Sequence, residues 1–276
     1  MSARVVLAFA AKELRDARRN RWFVLYTIAL AALSLAISGL AVSAQGAYGL
    51  AGFGRTTASL ANLVMLVVPL MGLTLGAQSL AAERERGTLL YLAAQPVTLG
   101  EVFLGKYLGL GAALVASLSL GFGLSGLVIS WRVGGAHVGS YTALAGLSVG
   151  LALASLGVGL LISAGARRAP SALGLGIFAW LALVLLGDLG LMGTALVLRL
   201  EVDVLFGLSL LNPLQVFKVA AIAGAHGSIE VLGPAGIYAY RTFGDGLVPL
   251  LVGVLAAWVV LPLCSGLVLF RLRGAS

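Results

Sequence analysis

The sequence predicts an all-α polytopic membrane protein with six transmembrane helices. Three observations carry this. The 276 residues are 60% hydrophobic and 10% charged, with a mean hydropathy of +1.06. Most of the chain lies in uncharged runs long enough to cross a hydrocarbon core of about 30 Å, which takes about 20 apolar residues as helix. The basic residues gather at the ends of those runs. Lipid offers no water to unpaired backbone groups, so long runs of this kind cross as helices. They are far too long for the short alternating strands of a barrel.

The first segment, Ala3 to Arg21, has helical spacing. Arg4, Lys12, Arg15 and Arg19 share one face, and Val6, Ala10, Leu14 and Ala17 share another. That suits an interfacial amphipathic helix over residues 1–21, or a plain topology anchor. Its charge argues against a cleavable signal peptide. The expected spans are then Trp22 to Val42, Thr57 to Leu80, Tyr107 to Ser130, Ala143 to Ser163, Pro170 to Leu189 and Leu247 to Phe270. Six spans put both termini on one side. Assigning that side to the cytoplasm places 13 Lys and Arg inside and 5 outside. This is the positive-inside distribution of an inner-membrane protein rather than the basic face of a nucleic-acid binder.

Within the spans, Gly72 with Gly76 and Gly105 with Gly109 have the spacing that lets helices approach closely. Pro69 falls midway through the second span and is expected to kink it, for packing or for gating. Asp188 follows Gly187 near the end of the fifth span. The glycines Gly187 and Gly190 favour a helix break there, which leaves the carboxylate at the outer interface. Residues 190–246 then form an external cap. In it, Asn212 and Pro213 open a short helix with Lys218 turned to solvent, and Tyr238 and Tyr240 suit the outer interface.

The inside loop, residues 81–106, interrupts the apolar pattern with Glu83, Arg84, Glu85 and Arg86. Alternating signs keep a protruding helix end soluble and let neighbouring helices pair with it. Gly87 loosens the helix, and Thr88 is placed to cap a short helix from Leu89 to Gln95 that Pro96 closes. Thr98 and Glu101 form a T-x-x-E capping box for the third span. The short helix carries Leu89, Leu90, Tyr91 and Leu92. Such a helix either tucks against its own bundle or docks into a partner.

Catalytic signatures are thin. Gly100 to Lys106 copies the start of a phosphate-binding loop, but Tyr107 stands where Ser or Thr should hold magnesium, and no strand precedes it. Gly123 to Gly126 looks like an intramembrane serine-protease motif around Ser125. The histidines, His137 and His226, fall in expected external loops, away from that serine. No metal-ligand set is expected. The single cysteine, Cys264, rules out an internal disulfide and reads as a small buried apolar residue.

The segment ERERGTLLYLAAQPVTLGEVFLGKYLG, Glu83 to Gly109, closely resembles the E-x-E-x-G-T, Leu-rich turn, P-V and G-K pattern of ABC-2 type transporter permeases. KELRDARRNRWF, Lys12 to Phe23, resembles the same family's N-terminal segment, so the likeness covers essentially the whole chain. It implies a single ABC-2 transmembrane domain over residues 1–276 that is not itself an enzyme and holds no cofactor. It further implies a homodimer or heterodimer of permeases, the homodimer being the expected form, with two separate cytoplasmic ATPase subunits that bind ATP and Mg. The resemblance makes Thr88 to Gln95 the coupling helix that sits in the ATPase, with Glu83 to Gly87 and Pro96 framing it. Arg167 and Arg168 mark a shorter second contact.

NPLQVFKVAA, LGPAG and the closing FRLR also resemble the NosY-type permeases of the nitrous-oxide-reductase maturation transporter. That likeness implies export of a sulfur species for a copper-sulfide centre. It implies a periplasmic accessory protein contacting Asn212, Pro213, Phe217 and Lys218. Gln215 departs from the acidic residue expected there, and the external loops lack a cysteine or methionine cluster for copper.

Overall fold

The computed structural model describes residues 2–48, 51–89, 97–133, 138–187, 201–224 and 233–274. Among them every regular element is helical. The chain runs α1 (Ala3–Arg19), α2 (Arg21–Tyr48), α3 (Ala51–Glu85), α4 (Leu99–Val133) and α5 (Val138–Gly165). It continues through α6 (Ala169–Leu185), α7 (Val202–Leu210), α8 (Pro213–Gly224), α9 (Gly233–Phe243) and α10 (Leu247–Arg273).

Helices stand at all six expected spans. Five are long and apolar enough to cross a membrane, and α7 with α8 count as a further bent pair. The helix at the fifth expected span, α6, has 17 residues, or about 25 Å at 1.5 Å per residue. By contrast, α3 has 35 residues, about 52 Å, longer than a hydrocarbon core of about 30 Å requires. The helix runs through Pro69 without interruption.

The bundle is built on α5, which packs against α3 on one side and α10 on the other. Glycine makes the first contact possible. A Cβ on Gly76 would sit 2.6 Å from the Leu156 carbonyl oxygen, and one on Gly159 would sit 2.6 Å from that of Leu73. The two backbones are therefore in direct contact, the close approach that small residues permit. On the outer flanks, α2 packs on α4 and α3, and α6 packs on α3. The interior between them is a continuous apolar core that includes Leu60, Val64, Phe103, Leu114, Leu156 and Phe217.

Hydroxyls inside the bundle mostly turn back onto their own helices. Ser125 donates to the Gly121 carbonyl at 3.0 Å, Ser148 to Leu144 at 2.7 Å and Ser155 to Leu151 at 2.8 Å. Ser125 is fully buried in this arrangement. A smaller number cross between helices, such as Thr27 with Ser117 at 2.8 Å.

Both termini lie at one end of the bundle. The start of α1 touches the start of α4, where the Ser2 backbone N–H donates to Glu101. At the other terminus the Arg273 guanidinium donates to the Gly165 carbonyl at the end of α5. The apolar stripe of α1 faces α4. A Cβ on Gly105 would lie 2.4 Å from Phe9 Cβ, and one on Gly109 would lie 2.5 Å from the Ala10 oxygen.

The region after α6 departs from a surface cap. The axes of α7 and α8 meet at 111°, and α8 is inserted against α10, α5 and α3. All but three of its twelve residues are buried. Lys218, expected in solvent, is half-buried as a result. Cys264 departs the other way: among the described residues it is exposed on α10. Asp188, Gly190, His137 and His226 lie outside the described residues.

Candidate functional site

The charged stretch at the end of α3 is where the elements of the terminal end meet. Each of its residues faces a different neighbour. Glu83 Oε1 accepts from Lys106 Nζ of α4 at 2.9 Å and from Lys12 Nζ of α1 at 3.1 Å. Lys106 also pairs with Glu13 of α1 at 2.7 Å. The Lys106 side chain is only 2% exposed, and those of Glu13 and Glu83 are 9% and 12% exposed. Buried charges of this kind are tolerated when paired. Burial disfavours charge on Lys12, but Glu83, Glu13 and Asp16 outweigh it and hold its ammonium pKa above the ordinary lysine value.

Arg84 turns toward the end of α5. Its Nη1 donates to the Ala166 carbonyl at 2.5 Å. A cation at the carboxyl end of a helix satisfies carbonyls that have no partner in the helix and complements the negative pole of its dipole. Glu85 does the reverse at a helix start, where its Oε2 accepts from the Ala169 backbone N–H at 2.9 Å. There a carboxylate meets the positive pole of α6. These two bonds hold the exposed residues Arg167 and Arg168 beside the charged stretch. Arg86 is exposed and makes the last turn before Gly87.

Gly87 stands at φ 72°, a left-handed conformation that costs a residue with a Cβ about 1–2 kcal/mol. The chain turns there and re-enters helix at Thr88 and Leu89. The Thr88 hydroxyl donates back to the Glu83 carbonyl at 3.0 Å and so helps close the end of α3. Leu89 is 1% exposed and belongs to the bundle core, so its side chain anchors the loop inward. Leu90, Tyr91, Leu92, Gln95 and Pro96 lie outside the described residues. The expected capping box is present: Glu101 N–H donates to Thr98 Oγ1 at 3.3 Å, and Thr98 N–H donates to Glu101 Oε2 at 2.8 Å.

Lys12, Glu13 and Lys106 entered the sequence reading only as parts of motifs, or as a false phosphate loop. Their partnership spans 93 positions from Glu13 to Lys106, and no local spacing reveals it. One signal was available: a lone lysine about two turns after a helix start, flanked by Gly105 and an apolar run.

At the opposite end, Asn212 organises the α7–α8 bend. Its Oδ1 accepts from Leu214 N–H at 2.9 Å, and its Nδ2 donates to the Leu183 carbonyl of α6 at 2.6 Å. Trp258 of α10 donates to the Leu210 carbonyl at 3.1 Å. Gly187 makes room for the amides of Gln215 and Asn212, since a Cβ there would lie 2.7 Å from Gln215 Nε2 and 2.9 Å from Asn212 Nδ2. Asn212 and Pro213 are buried and Phe217 is completely so. Their side chains therefore face inward here and present no outer surface. Beside α8 is an apolar cavity of about 480 Å³, lined by Leu144, Leu147, Ala220, Val252, Leu255 and neighbouring residues of α5, α8 and α10.

The family model described as "ABC-2 family transporter protein" matches residues 7–274. The "Probable ABC transporter permease protein NosY" of Stutzerimonas stutzeri is 31% identical over 270 residues, covering 96% of this chain and 97% of the relative. The protein of the same name from Pseudomonas aeruginosa is 31% identical over 280 residues, covering 98% and 97%. The chain belongs to the ABC-2 transporter permease family and is of the NosY type.

Proposed function

We propose that this permease couples ATP hydrolysis by separate cytoplasmic ATPase subunits to work across the inner membrane, through the loop between α3 and α4. The observation that carries this is the convergence of five elements on Glu83, Arg84 and Glu85. A displacement applied at this loop reaches α1, α4, α5 and α6 through direct bonds. In this reading the terminal end faces the cytoplasm and Leu90 to Gln95 dock in the ATPase. Arg86, Arg167 and Arg168 form its basic border, and ATP and Mg reside in the partner. The working unit pairs two copies of the chain with two ATPase subunits. Resemblance to the NosY type supports a sulfur species for the copper centre of nitrous oxide reductase as the exported solute. It also supports a periplasmic accessory protein at the α7–α9 end.

The test is affinity purification of the permease in mild detergent with its ATPase co-expressed. Leu90→Asp is expected to lose the ATPase while inserting normally into the membrane. Normal co-purification of that variant would overturn the reading.

A second reading has its own support. The interior of one chain is a packed apolar core whose hydroxyls bond largely to their own helices. Such an interior suits a body that passes force to a periplasmic partner, with any solute moving between copies. ATPase activity that responds to the accessory protein and to no solute would favour this second reading.

A further inference from the structure

The helix α1 is bonded to both stems of the loop between α3 and α4. Glu83 ends the α3 stem and Lys106 sits in the second turn of the α4 stem. Lys12 and Glu13 of α1 close the ring between them, with nitrogen–oxygen distances of 2.7–3.4 Å. Its centre has little access to water, because the Lys106 side chain is almost wholly buried, while Lys12 closes the ring from the half-exposed side. It is also held from outside. Gly105 and Gly109 bring the backbone of α1 onto α4, and the Ser2 N–H bonds to Glu101. At its far end α1 passes through one residue, Asn20, into α2. There Asn20 Oδ1 accepts from the Trp22 N–H at 3.0 Å and locks the corner.

We infer that Lys12, Glu13, Glu83 and Lys106 are positioning residues that make α1 a strut. The helix moves with the two loop stems as one body and delivers their displacement to α2. The amphipathic sequence of α1 suggests a raft on the lipid surface. The ion ring gives it a mechanical role instead, because a paired ring with a buried centre resists separation of the three helices. Without Lys106 at that centre, Glu13 and Glu83 keep only the half-exposed Lys12 as counter-charge. This inference rests on the reading that the loop receives the ATPase.

The experiment uses spin-label distances in the full permease–ATPase complex, in a Cys264→Ser background. One pair, Ala11→Cys with Val97→Cys, reports on the strut. A second, Leu25→Cys with Phe178→Cys, reports on α2 against α6. The expected result is a single narrow Ala11–Val97 distance that stays unchanged on trapping with ATP and vanadate, while the Leu25–Phe178 distance shifts. Lys106→Met is expected to broaden the first distance and abolish the shift in the second, with the ATPase still co-purifying. Lys106→Arg is expected to restore both, which general loss of packing would not allow. A first distance that changes on trapping, or stays narrow in Lys106→Met, overturns the strut. If the ATPase fails to bind even the unmodified loop, the docking reading fails instead. The strut is then still decided by the Ala11–Val97 width in the permease alone.

Discussion

The two ends of this bundle are held together by different physics. At the terminal end, helices meet through charge: a buried lysine between two glutamates, an arginine on one helix's last carbonyls, and a glutamate on another's first amide. At the opposite end, α7 and α8 fold back into the bundle and are held by apolar contact, one asparagine and one tryptophan. Ionic contacts are directional and tie specific helices to one another. Apolar contacts let neighbouring surfaces slide beside a cavity of about 480 Å³. On the proposed function, the ionic end is the one that receives force and the apolar end is the one that yields to it.

Substitutions that strike one end and spare the other sharpen this contrast. The largest effect is expected from Lys106→Met, which leaves the largely buried Glu13 and Glu83 with only the half-exposed Lys12 as counter-charge. Removing one partner of a buried pair costs up to about 3–5 kcal/mol, to be measured as lost resistance to unfolding in denaturing detergent. Next comes Gly76→Val at the α3–α5 contact. Its Cβ would meet the Leu156 oxygen at 2.6 Å, and such overpacking costs about 1–3 kcal/mol. Gly253→Ala is the control, since its Cβ meets nothing within 4 Å.

At the softer end, Asn212→Ala removes the bond to the Leu214 amide and the one to the Leu183 carbonyl. A cost of about 0.5–2 kcal/mol is expected, seen as earlier proteolysis of the α7–α8 region without loss of the ATPase. The smallest effect on stability belongs to Arg86→Ala. The residue is exposed, so the change should stay within about 0.5 kcal/mol. It should still weaken ATPase association, as a titration of the detergent-solubilised complex would report.

The spans were legible because hydropathy over 20 residues is a local property, and α2 to α5 and α10 stand where the uncharged runs do. The capping box at Thr98 and Glu101 was legible for the same reason: both partners lie within four residues. The glycine pairs announced close packing, but sequence could not say that Gly76 meets Leu156 while Gly105 meets Phe9.

What escaped depends on distant neighbours. Lys106 gains its role from Glu13 and Glu83. Thr88 donates its hydroxyl back across the turn at Gly87 to the Glu83 carbonyl, a partner five residues earlier that a forward-looking cap motif does not suggest. An apolar twelve-residue helix such as α8 looks the same from sequence whether it lies on a membrane or dips into a bundle. Cys264 was expected inside because cysteine usually is, yet a helix in lipid has no need to hide small apolar residues on one face.

The central claim is that the terminal end, with Arg86 at its edge, receives the ATPase and that the α7–α9 end does not. Cross-linking tests it most directly, in a Cys264→Ser background with the ATPase co-expressed and a short thiol–amine cross-linker. A cysteine at Arg86 should capture the ATPase subunit, and one at Tyr240, which is 39% exposed on α9, should not. Capture from position 240 with none from position 86 would contradict the account.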